Sequence, residues 1–205
     1  MLQASRLECV RGERRLFGDL SFSLKAGEAL HVEGANGAGK TSLLRIVAGL
    51  AMPESGEVRW NDAPIRSLGE DYRRELEYCG HSTALKDDLS AVENLRAACA
   101  LTGGSLDRGE TLAALERAGI GAATAGLPVR SLSQGQKRRV ALARLAQSEA
   151  KLWALDEPFA ALDAGGMDWL RSLIEKHVAA GGLVLLTSHQ ALPLRTGIST
   201  VRLVT

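Results

Sequence analysis

No stretch of this 205-residue sequence is apolar enough to cross a bilayer. Its longest aliphatic run, "LVLL" at 183 to 186, falls far below the ~20 residues a spanning helix needs. The opening "MLQASRLECVRG" has no apolar core of signal-peptide length, so the chain is expected in the cytosol, or on a membrane only through a partner. Cysteine is also scarce. Cys9, Cys79 and Cys99 are odd in number and widely spaced, which excludes a disulfide framework and any zinc-like pair and suits a reducing compartment. They read as small buried hydrophobes. Net charge is nearly absent too: the formal value of +1 leaves no electrostatic footprint for nucleic acid. The local run Lys137, Arg138 and Arg139 is expected to be a solvated helix face. Neither an internal repeat nor a low-complexity linker is visible.

What is present is an ordinary globular balance, with 45% hydrophobic and 24% charged residues. The length suits one well-buried domain, or one domain carrying a smaller inserted subdomain. The first third alternates strand-like pieces with turns ("LECV", "LSFSL", "ALHVEG", "GEVRWND"), and Leu20, Phe22 and Leu24 keep the period-two spacing of a half-buried strand. A helix is expected after Lys40, with Leu43, Leu44 and Val47 on one face and a stop at Gly49. From about 82 to 147 the pattern turns helical ("SAVENLRAACAL", "RGETLAALERAG", "KRRVALARLAQ"). Strands then return as "KLWALDEP" and "GLVLLTSH", on either side of a helix with Met167, Leu170, Leu173 and Ile174 on one face. The organisation expected is a single α/β domain over 1–205, with its core at 1–81 and 148–205 and a helical subdomain at about 82–147.

The chemistry begins at "GANGAGKT", residues 34 to 41, which matches G-x-x-x-x-G-K-[ST] directly after a strand and at the start of a helix. Gly34, Gly37 and Gly39 let the backbone curl until its N–H groups point at phosphate oxygens, with Ala35, Asn36 and Ala38 between them. The helix that carries Ser42 adds its positive end. Lys40 can reach the β- and γ-phosphates, and the Thr41 hydroxyl can ligate Mg²⁺. In "LWALDEP", residues 152 to 158, an apolar strand ends in Asp156, a second Mg²⁺ ligand opposite Thr41. Glu157 follows, pointing to the other face of an extended chain, where a carboxylate can polarise a water for in-line attack.

"LSQGQKRRVALARL", residues 132 to 145, resembles the signature motif of the ATP-binding cassette (ABC) ATPases, usually Leu-Ser-Gly-Gly-Gln, with Gln134 in place of the first glycine. Read physically, Ser133 is a helix N-cap and Gly135 keeps the backbone bare beside it. The resemblance covers the whole chain. It implies a P-loop NTPase core with an antiparallel β edge and an inserted helical subdomain, and an ATPase that binds ATP and Mg²⁺. It also implies a homodimer that sandwiches two ATP molecules, in which Ser133, Gln134, Gly135 and Gln136 act in trans. Asp163, in "ALD", is similar to the family's D-loop, and His189, in "TSHQ", to its switch histidine at the γ-phosphate. His31 and His177 match no motif and read as structural. No Asn-Lys-x-Asp guanine motif is present, which sets this chain apart from a GTPase.

Two positions depart from the family pattern. Where the family commonly stacks an aromatic ring on adenine, "CVRGERR" offers Arg11, whose guanidinium can also stack on a base. His81, in "CGH", falls where the family has its Q-loop glutamine. Imidazole is a poor Mg²⁺ ligand beside oxygen donors, so His81 is expected to work through water or a hydrogen bond, with a pH sensitivity near neutrality. Within the family, these features are similar to the cassettes that serve cytochrome c maturation. That implies a peripheral subunit on the cytoplasmic side of a bacterial inner membrane, held by integral membrane partners that handle haem. No haem-ligating motif is present, and no direct haem binding is expected. A cassette for another cargo, and a soluble one serving iron–sulfur assembly, are the alternatives.

Overall fold

The computed structural model describes residues 1–188, 194 and 197–203. In chain order it forms β1 (Leu2–Arg11), β2 (Arg14–Leu24), β3 (Ala29–Glu33), α1 (Lys40–Val47), β4 (Ser55–Trp60) and β5 (Ala63–Pro64). The short helices α2 (Ile65–Leu68) and α3 (Glu70–Arg74) lead to β6 (Leu76–Cys79). Four helices follow: α4 (Ala91–Leu101), α5 (Arg108–Arg117), α6 (Ala122–Ala125) and α7 (Gln134–Ala143). The chain closes with β7 (Leu152–Leu155), α8 (Ala164–Ala179), β8 (Leu183–Thr187) and β9 (Ile198–Arg202). Among the described residues, no helix is long and apolar enough to cross a membrane.

These elements gather into two compact units: residues 1–81, 150–158 and 175–205 in one, 82–149 and 159–174 in the other. The first unit holds two sheets. One is antiparallel, in the order β2-β1-β4-β5. Its alternating pattern buries Leu2 and Ala4, then slips at a bulge where Arg6 turns left-handed (φ 46), and resumes with Leu7 and Cys9. The other is parallel, in the order β6-β7-β8-β3-β9. β7 and β8 are buried at every position, the continuous apolar run expected of strands covered on both faces. Because these strands run the same way, the loops after β3, β6, β7 and β8 leave from one edge of the sheet, where ligands of open α/β sheets bind.

The second unit is built from helices that start on local signals. Ser90, Asp107 and Ser133 each cap a helix and close a reciprocal capping box with Glu93, Glu110 and Gln136. Its core joins Leu95 and Cys99 of α4, Ala114 and Leu115 of α5, and Val140 and Ala143 of α7. All three cysteines are buried and none is in a disulfide, in keeping with their number and spacing. The basic run departs from expectation. Arg138 is buried at 5% exposure, Lys137 reaches Asp87 and Arg139 pairs with Asp163. Lys137 and Arg139 are drawn to partners within this unit, so the run is not a solvated face.

Candidate active site

The loop after β3 is shaped by what it omits. Gly37 and Gly39 have φ of 79° and 100°, the left-handed region that side chains avoid. A Cβ at Gly39 would also stand 3.0 Å from the Phe17 ring. Gly39 is the N-cap of α1 and supplies no side chain, and the first turn carries no acid. The first intrahelical bond is Leu43 N–H to the Gly39 carbonyl, 2.8 Å, so the N–H groups of Lys40, Thr41 and Ser42 belong to the helix's open donors. Together with the helix dipole they form an anion site. Lys40, 8% exposed, folds back so that Nζ donates to the carbonyls of Gly34 (2.7 Å) and Ala35 (3.2 Å). The loop's own carbonyls thus hold the ammonium against the start of the loop.

Asp156 closes on this loop from β7. Its Oδ2 accepts the Thr41 hydroxyl at 2.8 Å, joining residues 115 apart in sequence. Its Oδ1 accepts the hydroxyl of Thr187, also at 2.8 Å, and its own N–H donates to the Cys79 carbonyl. Thr187, at the end of β8, is fully buried and does a second job: its Oγ1 accepts the Glu157 N–H at 2.8 Å. Glu157 is not on an extended chain. The strand ends at Leu155, and Glu157 takes φ 49, a left-handed conformation costing about 1–2 kcal/mol for a non-glycine residue. Thr187 holds that strained turn and orients the metal-ligand candidate at once. Sequence reading passed it over; the signal available was a hydroxyl at the end of an all-apolar strand.

Thr41 and Asp156 suit Mg²⁺. Both present oxygen, and two protein oxygens are what this ion commonly takes when water and substrate phosphates complete its octahedron. Among the described residues no three His, Cys, Asp or Glu side chains converge on a metal position.

In the helical unit, Ser133 Oγ accepts the Gln136 N–H at 3.2 Å, and the Gln136 side chain returns to the Ser133 N–H at 2.9 Å. Gln136 is thereby held as a cap, while Gln134 stays exposed at the first helical position. Asp163 accepts the Gly166 N–H at the start of α8, 2.8 Å. That bond, then Arg139, keeps the Asp163 carboxyl below its usual range. His81 is exposed on the bend after β6, two residues beyond the carbonyl that holds Asp156. His189 lies outside the described residues. Arg11 is exposed at the end of β1, directly opposite Arg14 in the ladder. His31 packs between Glu33 (3.5 Å) and the Ser188 carbonyl (3.4 Å), and His177 stacks on Trp153, so both have packing roles.

A phosphate loop facing a strand-end aspartate, with a capped Ser-Gln-Gly-Gln helix in the same chain, can be compared with known proteins. The family model described as ABC transporter matches residues 17–160. The chain belongs to the ABC transporter family. Two curated members of that family named cytochrome c biogenesis ATP-binding export protein CcmA are similar over nearly the whole chain. That of Nitrosomonas europaea is 51% identical over 196 residues, covering 96% of this chain and 92% of its own. That of Pseudomonas aeruginosa is 51% identical over 203 residues, covering 99% of each. Among solved structures, a dimeric bacterial ABC transporter cassette superposes with a TM-score of 0.84 at 25% identity, covering 98% of this chain and 94% of its own. An ATP-binding cassette dimer in a post-hydrolysis state, bound to ADP and Pi, gives 0.79 at 25% identity, covering 93% and 88%. The ABC ATPase architecture expected from the motifs is borne out.

Proposed function

We propose that this chain is the ATP-hydrolysing subunit of a bacterial inner-membrane exporter for cytochrome c maturation, with haem as the cargo of the complex. It works as a homodimer around two ATP molecules, on the cytoplasmic side, against integral membrane subunits. The support for the cargo is its 51% identity, across 99% of both chains, with a cytochrome c biogenesis export protein. The observation that carries the chemistry is the Thr41–Asp156 hydrogen bond, which brings two oxygen ligands to the mouth of the phosphate loop.

In this reading Lys40 and the amides of the loop bind the β- and γ-phosphates, and Thr41 and Asp156 hold Mg²⁺. Bound there, Mg²⁺ would neutralise phosphate charge as it develops. Glu157, set at the strained turn, accepts the proton of the attacking water. Ser133, Gln134, Gly135 and Gln136 close on the partner subunit's nucleotide, with Asp163 beside them and His189 at the γ-phosphate. His81 tunes the site through water.

The test uses a tagged Glu157→Gln variant, isolated from gently solubilised membranes with ATP and Mg²⁺. Turnover is expected to fall at least about a hundredfold with ATP binding retained, and small integral membrane proteins of cytochrome c maturation to co-purify. Recovery with a different permease removes the haem assignment and leaves the ATPase. Recovery without membrane proteins favours a soluble cassette such as one serving iron–sulfur assembly.

A further inference from the structure

In the helical unit a single guanidinium ties together three backbone segments. Arg139 sits in the second turn of α7, with its side chain only 13% exposed. Its Nη1 donates to the carbonyl of Ala118, the C-cap of α5, at 2.9 Å. Its Nη2 donates to Oδ1 of Asp163, the same oxygen that accepts the Gly166 N–H and so caps α8. Asp163 itself is 73% exposed, so a partly buried cation holds a carboxylate that faces outward.

The backbone is bare where this guanidinium passes. A Cβ at Gly119 would stand 2.2 Å from Arg139 Nη1, and one at Gly166 would stand 3.1 Å from three guanidinium atoms. Gly119 also needs its φ of 79° to end α5. A second tie runs beside the first. A Cβ at Gly135 would lie 2.8 Å from the Ala161 carbonyl, so the Ser133–Gln136 turn and the segment leading into Asp163 meet backbone to backbone. Two independent contacts therefore link the start of α7 to the 161–163 turn.

We propose that Arg139 is a positioning residue. It fixes the Ala161–Asp163 turn to the signature end of α7, so that both present themselves to a second subunit as one preset surface. This deepens, and rests on, the reading in which Ser133, Gly135 and Asp163 act across a dimer. Arginine suits the task because its planar fork serves two acceptors in different directions, whereas a lysine ammonium at the same position reaches one of them well.

The test compares the full-length Glu157→Gln chain with the same chain carrying Arg139→Ala or Arg139→Lys. Dimer formation is followed by light scattering as ATP is raised with Mg²⁺ present, and nucleotide affinity of the dilute monomer by a fluorescent ATP analogue. Arg139→Ala is expected to raise the ATP needed for half-dimerisation about tenfold, Arg139→Lys by less, with monomer affinity within about twofold of the parent. Should Arg139→Ala fail to fold, Asp163→Asn keeps the shape of the cap, removes the ion pair, and is expected to shift dimerisation in the same direction. Unchanged dimerisation in a folded Arg139→Ala chain, or a loss of monomer affinity in step with it, overturns the assignment to Arg139. A parent chain that stays monomeric with ATP overturns the two-subunit reading itself, and the proposal with it.

Discussion

Replacing Thr187 by valine changes almost no volume and removes both polar contacts that order the catalytic edge of the sheet. The hydroxyl donates to Asp156 Oδ1 and accepts from the Glu157 N–H, each at 2.8 Å. Thr187 is fully buried and Asp156 is 1% exposed, so water does not readily take over either bond. A hydrogen bond to a charged group contributes about 1.5–3 kcal/mol and a neutral one about 0.5–1.5. Since the two share one oxygen and are not additive, the combined loss is about 2–4 kcal/mol. For a chain of this length each kcal/mol moves the melting temperature by about 2–4 °C, so Thr187→Val is expected to melt roughly 5–15 °C lower. Thr187→Ser keeps the hydroxyl and loses one methyl, about 1 kcal/mol, and should melt only a few degrees lower. Activity should separate the variants further. With its N–H released, Glu157 is no longer held at φ 49, so turnover of Thr187→Val should fall at least about tenfold with ATP affinity largely kept. Thermal melts and steady-state ATPase assays on the three proteins are sufficient. A valine variant that melts within about 3 °C of the parent and turns over normally would refute the role given to this hydroxyl.

Other perturbations test other parts of the fold. The His177 ring lies flat on Trp153, centroids 3.8 Å apart, and burial pushes its pKa below the ordinary value, with backbone bonds to Lys151 and Leu183 opposing. Below pH ~6.5 the unfolded chain takes up this proton before the folded one does. Stability is therefore level above that pH and falls as pH drops toward the folded pKa; His177→Phe should flatten this acid-side slope in urea melts between about pH 7 and 5. A Cβ on Gly182 would stand 2.3 Å from His177 Nε2, so Gly182→Ala should destabilise by about 1–3 kcal/mol. Adding His177→Ala should then cost less than the sum of the two single changes in a double-mutant cycle. For His81, replacement by glutamine should preserve ATPase activity in a steady-state assay; loss of turnover would show that the site needs the imidazole itself.

What could be read in advance was whatever the chain decides locally. The phosphate loop is contiguous, and its glycines carry the constraint in their identity, so "GANGAGKT" announces both its shape and its ligand. The caps behave likewise: Ser133 and Gln136 are three residues apart, and their two bonds need nothing from the rest of the protein. The all-apolar runs of β7 and β8 announce buried parallel strands. They do not announce an order, because every such strand looks alike; β6-β7-β8-β3-β9 is set by crossovers and packing. β9 gave no sign of itself, having only Ile198 and Val201 half-buried on an edge strand.

The misreadings share one cause, which is that a polar group's meaning depends on a partner far away in sequence. Lys137, Arg138 and Arg139 have the composition of a solvated face, yet Arg139 is turned inward by an acceptor 24 residues along the chain and a carbonyl 21 residues back. Glu157 follows an apolar strand and invites an extended reading. A hydroxyl 30 residues on captures its N–H and bends the chain the other way. In both cases the local pattern was outweighed by a part-buried hydrogen bond, because leaving a desolvated donor unpaired costs about 1–3 kcal/mol, as much as the local preference it overrides. One conflict lies at Glu157 and the other at Arg139, the partner of Asp163; Glu157 and Asp163 are two of the residues to which the proposed chemistry is assigned. That is where a fold can be expected to spend local stability on geometry, and it is why such conflicts are worth locating before any assay is chosen.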